Sequence, residues 1–202
     1  MHDYQPAFSW TGLYAGINAG YGFGELAQIP DSGLGNTKAE GWTAGGQIGY
    51  NYQFGKVIFG IEADLNYAAI KGSRTTDLCV GCGIPYTVEP KLNWFGTIRP
   101  RLGYDIGYGL LPYVTAGPAY GSVSVVERMD FGGGGISTTT TKQGAVGYAW
   151  GGGIEYALAH DWTVRAEYLR LELDLSSTNS NFSSAQVATS TDIFRGALNR
   201  KF

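Results

Sequence analysis

Charge is scarce in this chain of 202 residues: Asp, Glu, Lys and Arg make up 15%. An ordinary soluble domain carries roughly 25%. Cysteine is nearly absent. Cys79 and Cys82, in a single C-x-x-C, are too few for a disulfide framework. A redox C-x-x-C opens a helix near a βαβ pattern, and no such pattern surrounds this one. Zinc needs about four ligands, so the pair alone supports no metal site. A local disulfide between Cys79 and Cys82 is expected, with free thiols as the alternative. The only histidines are His2, in a tail, and His160, in a turn. Neither has a matched nucleophile, which removes the basis for a catalytic triad. No cofactor is expected. No run approaches the roughly 18 apolar residues of a transmembrane helix, and mean hydropathy is -0.10. A net charge of -3 and the lack of a polybasic stretch give no reason to expect nucleic acid. No secretory signal is visible in the opening MHDYQPAFSW, so location must be read from the body of the chain.

What the chain has is glycine (32 residues), aromatics (14%) and alternation. Strand-like segments recur at Thr11–Gly24, Trp42–Phe54, Val57–Ile70, Lys91–Tyr104, Leu111–Val126, Gly144–Leu158, Trp162–Leu173 and Thr191–Phe202. They match the about 9–11 residues of a membrane-spanning strand better than the about 5–6 of a soluble one. The links alternate in length. Gly55-Lys56, Asp105–Gly109 and Ala159-His160-Asp161 are short. Glu25–Gly41, Lys71–Pro90, Glu127–Gln143 and Asp174–Ser190 are long and polar. Short turns at one end and long loops at the other are the pattern of an outer-membrane barrel. The expected fold is all-β: an eight-stranded antiparallel up-and-down transmembrane barrel over residues 10–202, after a periplasmic tail of residues 1–9. GGGG (Gly132–Gly135), TTTT (Thr138–Thr141) and SSTNSNFSS (Ser176–Ser184) read as flexible loop. A phosphate cradle at GGGG would need a following helix and a G-K-[ST] ending.

Parity assigns the faces. In VIFGIEADLNYAA (57–69), one set is Val57, Phe59, Ile61, Ala63, Leu65, Tyr67 and Ala69. The other contains Glu62 and Asp64. In other strands, too, the apolar set lacks charge. Leu92, Trp94, Ile98, Leu102 and Tyr104 form one such set. A soluble barrel with those sets inside would have to swallow a dozen or more aromatics, whereas an eight-stranded interior only just fits its side chains. The apolar sets are therefore expected to face lipid, where a charge costs about 2–4 kcal/mol at the midplane. Aromatics at strand ends give two girdles, including Trp42 and Tyr67 on the loop side and Tyr52, Phe54, Tyr104, Tyr156 and Trp162 on the turn side. From Leu169 to Leu175 the parity reads as flipped, through a bulge or exit from the bilayer.

The inward charges balance: Glu62, Asp64, Glu155 and Glu167 against Arg99, Arg101, Arg165 and Arg195. Turn lengths put Glu155 opposite Arg165, Glu62 opposite Gly49, and Glu62 at the height of Arg99. Arginine binds carboxylates bidentately, so a paired network plugging the lumen is expected. A catalytic Glu62/Asp64 pair would need a substrate cavity, and four arginines in the same lumen favour ion pairs instead.

Several segments carry a resemblance: PAFSWTGLYAGINAGYGFG, LNWFGTIRPRLGYDIG followed by LLPYVTAGPAYG, AVGYAWGGGIEYAL, VRAEYLRLELD and FRGALNRKF. Together they resemble the small outer-membrane β-barrel proteins of alphaproteobacteria, a family similar in architecture to the OmpA membrane domain. The resemblance implies a cleaved export signal and assembly by the outer-membrane insertion machinery. Phe202 matches the C-terminal aromatic signal of that route. It implies no shared catalytic residue. Family members are described as porin-like, as surface antigens and in some cases as haemin-binding. The expected function is a structural barrel with a largely closed lumen, extracellular loops and periplasmic termini, set in outer-membrane lipid and lipopolysaccharide. It would support envelope integrity or contacts with envelope proteins. A narrow porin-like channel is the alternative.

Overall fold

Alternating residues with apolar side chains on one side and glycine or polar groups on the other can satisfy a backbone in lipid only as a closed sheet. The computed structural model describes residues 8–26, 37–77, 85–131, 135–158, 161–175 and 187–202. The strands are β1 (Gly12–Leu26), β2 (Thr37–Phe54), β3 (Val57–Gly72), β4 (Arg74–Asp77), β5 (Pro85–Tyr104), β6 (Leu110–Asp130), β7 (Ile136–Ala157), β8 (Trp162–Leu175) and β9 (Val187–Lys201). Neighbours run β3-β2-β1-β9-β8-β7-β6-β5-β4, and β3 also pairs with β5, which closes the ring. β4 continues β3 past Ser73 along the same partner, so eight strands surround the lumen.

Turn chemistry fixes the register. Gly55, at a φ of 61°, joins Phe54 to its partner Val57. In the second turn Gly107 and Gly109 take φ values of 90° and 73°, and the Asp105 carboxylate accepts the Gly107 amide at 2.9 Å. At the third turn the Leu158 amide donates to the Trp162 carbonyl at 2.7 Å; residues 159 and 160 lie outside the described set.

Three sequence expectations change. The links Lys71–Pro90 and Glu127–Gln143 are largely strand: β4 pairs with β5, and β6 and β7 run on to Asp130↔Ile136. Thr138–Thr141 belongs to β7 because β-branched residues suit a ladder even beyond the membrane. Leu92 faces inward, fully buried, because the β5–β6 register slips at Asn93 between Leu92 and Trp94. A one-residue bulge exchanges the faces of everything beyond it. The parity of β8 does not flip. Thr163, Arg165, Glu167, Leu169, Leu171 and Leu173 are all buried, with unbroken register to both neighbours. What changes at Leu169 is the polarity of the two faces, the lumen turning apolar as the outside turns charged.

The chain packs against the barrel from Phe8 onward. Phe8 and Trp10 pack with Ile58 and Leu111 at the turn end. Lys201 Nζ donates to the Ser9 carbonyl at 2.5 Å, and the Trp10 amide to Gln53 Oε1 at 2.9 Å. Residues 8 and 9, expected in a tail, are thus fastened to the barrel because an apolar stopper finds a pocket there.

Candidate functional site: the filled lumen

The inward face of each strand supplies one or two polar side chains at mid-height. All four arginines and all four carboxylates expected inside are buried. The register sets Glu62 opposite both Gly49 and Arg99, and Glu155 opposite Arg165. Arg99, with no exposed surface, holds three carboxylates: Glu62 at 3.0 Å, Asp64 at 2.8 Å and Glu167 at 2.9 Å. Arg165 reaches Glu62 at 2.6 Å and Glu155 at 3.2 Å. Arg101 binds Glu155 at 2.7 Å, and Arg195 bridges Glu167 at 2.9 Å and Asp64 at 3.1 Å.

Neutral groups complete the set. Tyr14 donates to Glu62 at 2.6 Å and accepts from Arg101 at 3.1 Å. Thr163 and Asn199 donate to Glu155 at 2.5 and 3.2 Å. Thr97 and Asn66 donate to Asp64 at 2.8 and 2.7 Å. The Arg101 guanidinium lies 4.1 Å from the Tyr113 ring centroid, a cation–π contact. Every oxygen of the four carboxylates is therefore engaged. Glu62 and Asp64 have no oxygen left for acid/base work in this arrangement.

Inward glycines make the room. A Cβ on Gly60 would lie 2.8 Å from Arg101 Cγ, and one on Gly20 would lie 2.6 Å from Arg195 Cβ. The arginine stems lie across neighbouring glycines, so glycine is part of the charge site.

Apolar layers lie above and below the charges. On the turn side Trp10, Ile58 and Leu111 pack together. On the loop side Ile70, Leu92, Phe95, Val123, Leu169, Leu171, Leu173 and Ile193 form one cluster. That layer was missed from sequence. Extending the inward parity of Arg165 and Glu167 along β8 would have found its leucines. The residues Tyr113, Thr97 and Thr163 were missed as well, although each shares parity with a charge or with its strand's inward set.

Outside, the expected girdle residues Trp42, Tyr52, Phe54, Tyr67, Tyr104, Tyr156 and Trp162 are all exposed. Arg200 is exposed beside them, 6.0 Å from the Trp162 ring and 5.6 Å from that of Phe202. Cys79 and Cys82 lie outside the described residues, as do His2 and His160. In the hairpin above the bilayer, burial and a hydrogen bond to Glu127 push the Tyr86 hydroxyl up to about 12.

A family described as the outer membrane protein beta-barrel domain matches residues 4–202. The chain is 35% identical to the 31 kDa outer-membrane immunogenic protein of Brucella melitensis, over 96% of this chain and 85% of that one. It is 27% identical to the 25 kDa outer-membrane immunogenic protein of the same organism, over 98% and 81%. It is also 32% identical to the 22 kDa outer membrane protein of Rhizobium leguminosarum, over 81% of this chain and 64% of that one. A looser likeness, to the crystal structure of Neisserial surface protein A, has 14% identity, a TM-score of 0.49 and coverage of 95% and 98%. With a closed eight-stranded barrel and a family match over nearly its whole length, the chain belongs to the outer-membrane β-barrel proteins of Gram-negative bacteria.

Proposed function

We propose that this protein is a non-enzymatic structural barrel whose lumen is shut. Its long hairpins face the outside of the cell and its termini the periplasm. It contributes to envelope integrity or to contacts with other envelope proteins. Lipid and lipopolysaccharide surround it, and the insertion machinery that reads Phe202 places it. The carrying observation is that three layers of buried side chains lie across the lumen: an apolar stopper at the turn end, a charge layer in the middle and an apolar layer toward the loops. An ion crossing it would have to part buried ion pairs, each costly to break.

Planar-bilayer recording of the refolded protein tests this. The wild type should give no steady conductance steps, and Arg99→Ala or Glu62→Ala should introduce fluctuating leaks. Steady, reproducible steps from the wild type would favour the narrow channel. That second reading has one observation behind it. Nε of Arg99, Arg101 and Arg165 and Oδ1 of Asn18 and Asn51 have no protein partner, which marks places along the lumen where water would bind.

A further inference from the structure

The wall of the barrel lacks rungs at one place near mid-height. The β5–β6 ladder pairs Thr97 with Ala119 and Arg101 with Thr115, and carries no pairs between them. The register is the same on both sides of the gap, so no residue is inserted. Ile98, Arg99 and Pro100 face Pro118, Gly117 and Ala116 without pairing.

Two prolines account for the gap, because proline has no N–H to give to a ladder. On its other edge β5 keeps its pairs with β3: Gly60↔Arg101, Ile61↔Pro100 and Glu62↔Arg99. The donor that Pro100 lacks therefore belongs on the β6 side. β6 likewise keeps its pairs with β7: Ala116↔Trp150, Gly117↔Ala149 and Pro118↔Tyr148. The donor that Pro118 lacks therefore belongs on the β5 side. Opposed residues of a hydrogen-bonded antiparallel pair exchange two N–H···O bonds. Ala116, opposite Pro100, and Ile98, opposite Pro118, each keep a carbonyl whose amide donor is missing. Inside a bilayer an acceptor without a donor is strongly unfavourable. A hydroxyl suits the carbonyls of this gap: Thr115 Oγ1 donates to that of Pro100 at 2.9 Å.

Outside the gap lies a groove of about 790 Å³, walled by Leu102, Val114 and Trp150, with Pro100, Ala116 and Gly152 also lining it. Of the two orphaned carbonyls it reaches that of Ala116, and it stops short of Ile98 and Pro118. Depth decides what can enter. Pro100 lies four residues from Tyr104 on the turn side and six from Trp94 on the loop side, which is about 13 and 20 Å along the strand. Headgroups stay near those aromatic bands, so hydrocarbon surrounds the groove. Arg101 borders it by its backbone position, and its guanidinium is held in the lumen by Glu155 and Tyr14. The complement of a lone carbonyl in an apolar groove is a neutral donor on an apolar molecule. An ordinary acyl tail carries none.

We propose that this notch binds an apolar molecule of the bilayer that carries one hydroxyl group. The hydroxyl donates to the Ala116 carbonyl, and the chain lies along Leu102, Val114 and Trp150. The site is on the membrane face, so it depends neither on a closed lumen nor on which way the barrel faces.

The test uses the refolded full chain in phosphatidylcholine vesicles. The probe is 2-bromododecan-1-ol, and 2-bromododecane is its counterpart without the hydroxyl. Bromine quenches tryptophan on contact, and the signal is the fluorescence difference between wild type and Trp150→Phe. The alcohol should quench Trp150 saturably, with half-saturation at about a tenth of the membrane concentration that the bromoalkane needs. Pro100→Ala gives the Ala116 carbonyl its amide donor and should bring the two probes to equal half-saturation. Pro118→Ala repairs the neighbouring rung instead and should keep the preference for the alcohol. Heat-shifted gel mobility verifies that each variant is folded. Equal half-saturation of the two probes in wild type overturns the proposal, and so does a preference that survives Pro100→Ala. Quenching that rises linearly with probe overturns it too, since that is bulk partitioning. Loss of the preference in Pro118→Ala alone would put the hydroxyl on Ile98 and overturn the assignment to Ala116.

Discussion

A buried arginine is worth keeping only when every carboxylate around it needs it. Arg99 meets that condition, because one guanidinium serves Glu62, Asp64 and Glu167. Removing it leaves three buried carboxylates with fewer partners, and breaking such pairs costs about 3–5 kcal/mol. Arg99→Met should lower stability by about that amount in urea unfolding of the barrel in lipid vesicles, while Arg170→Gln, half-buried on the outer face, should cost under about 1 kcal/mol. The identity of these charged residues was legible in the sequence because a charge on a strand whose other face is apolar has one place to go. Their exact partners were legible only for direct neighbours. Glu155 and Arg165 face each other across one hairpin. Glu62 and Arg165 sit on opposite walls, 2.6 Å apart, and no local spacing encodes that contact.

Whole strands obey their parity more strictly than their composition suggests. Leu169, Leu171 and Leu173 of β8 read like a lipid-facing set, yet they continue the inward face of Arg165 and Glu167. The misreading had a physical source. Exit from the bilayer, not a bulge, accounts for the apparent flip: above the bilayer a barrel with a wet outside needs an apolar inside. Asn93 shows the opposite failure. There the parity does change, through a bulge that a run of LNW does not announce, and Asn93 Nδ2 secures it by bonding across to β6 at 2.6 Å. Cysteines report faces directly. In vesicle-reconstituted protein, Arg170→Cys and Glu172→Cys should react with a water-soluble maleimide and Leu171→Cys should not. Fast labelling at 171 together with protection at 170 would reinstate the flipped reading. Leu171→Ala should in addition cost about 2–5 kcal/mol, as large-to-small changes in packed cores do.

Across the whole molecule, the charge layer ties together strands that are remote in the chain. Its hydrogen bonds and ring contacts run from Tyr14 in β1 through Glu62 and Asp64 in β3, Arg99 and Arg101 in β5, Tyr113 in β6, Glu155 in β7 and Glu167 in β8 to Arg195 in β9. β2 joins through Gln47, which takes a hydrogen bond from Asn18 and gives one to Asn199, both at 2.6 Å. All eight walls of the barrel therefore contribute. The pairs of Arg195 with Glu167 and Asp64 bring in β9, whose seam with β1 has the longest sequence separation of any strand pairing. Non-local contacts of this kind make folding slow, and here they also make it cooperative. A partly closed barrel would expose unpaired charges to lipid and open strand edges to the bilayer, both strongly unfavourable. Intermediates should be unpopulated at equilibrium. In urea, tryptophan fluorescence, which follows Trp10 at the turn end and Trp94 near the loop end, should trace the same single transition as the loss of heat-shifted gel mobility. Trp10→Phe, which leaves the other tryptophans to report, should keep that coincidence with a lower midpoint. Two separated transitions would mean that the stopper and the loop-side layer fold independently, and that the charge layer does not couple them.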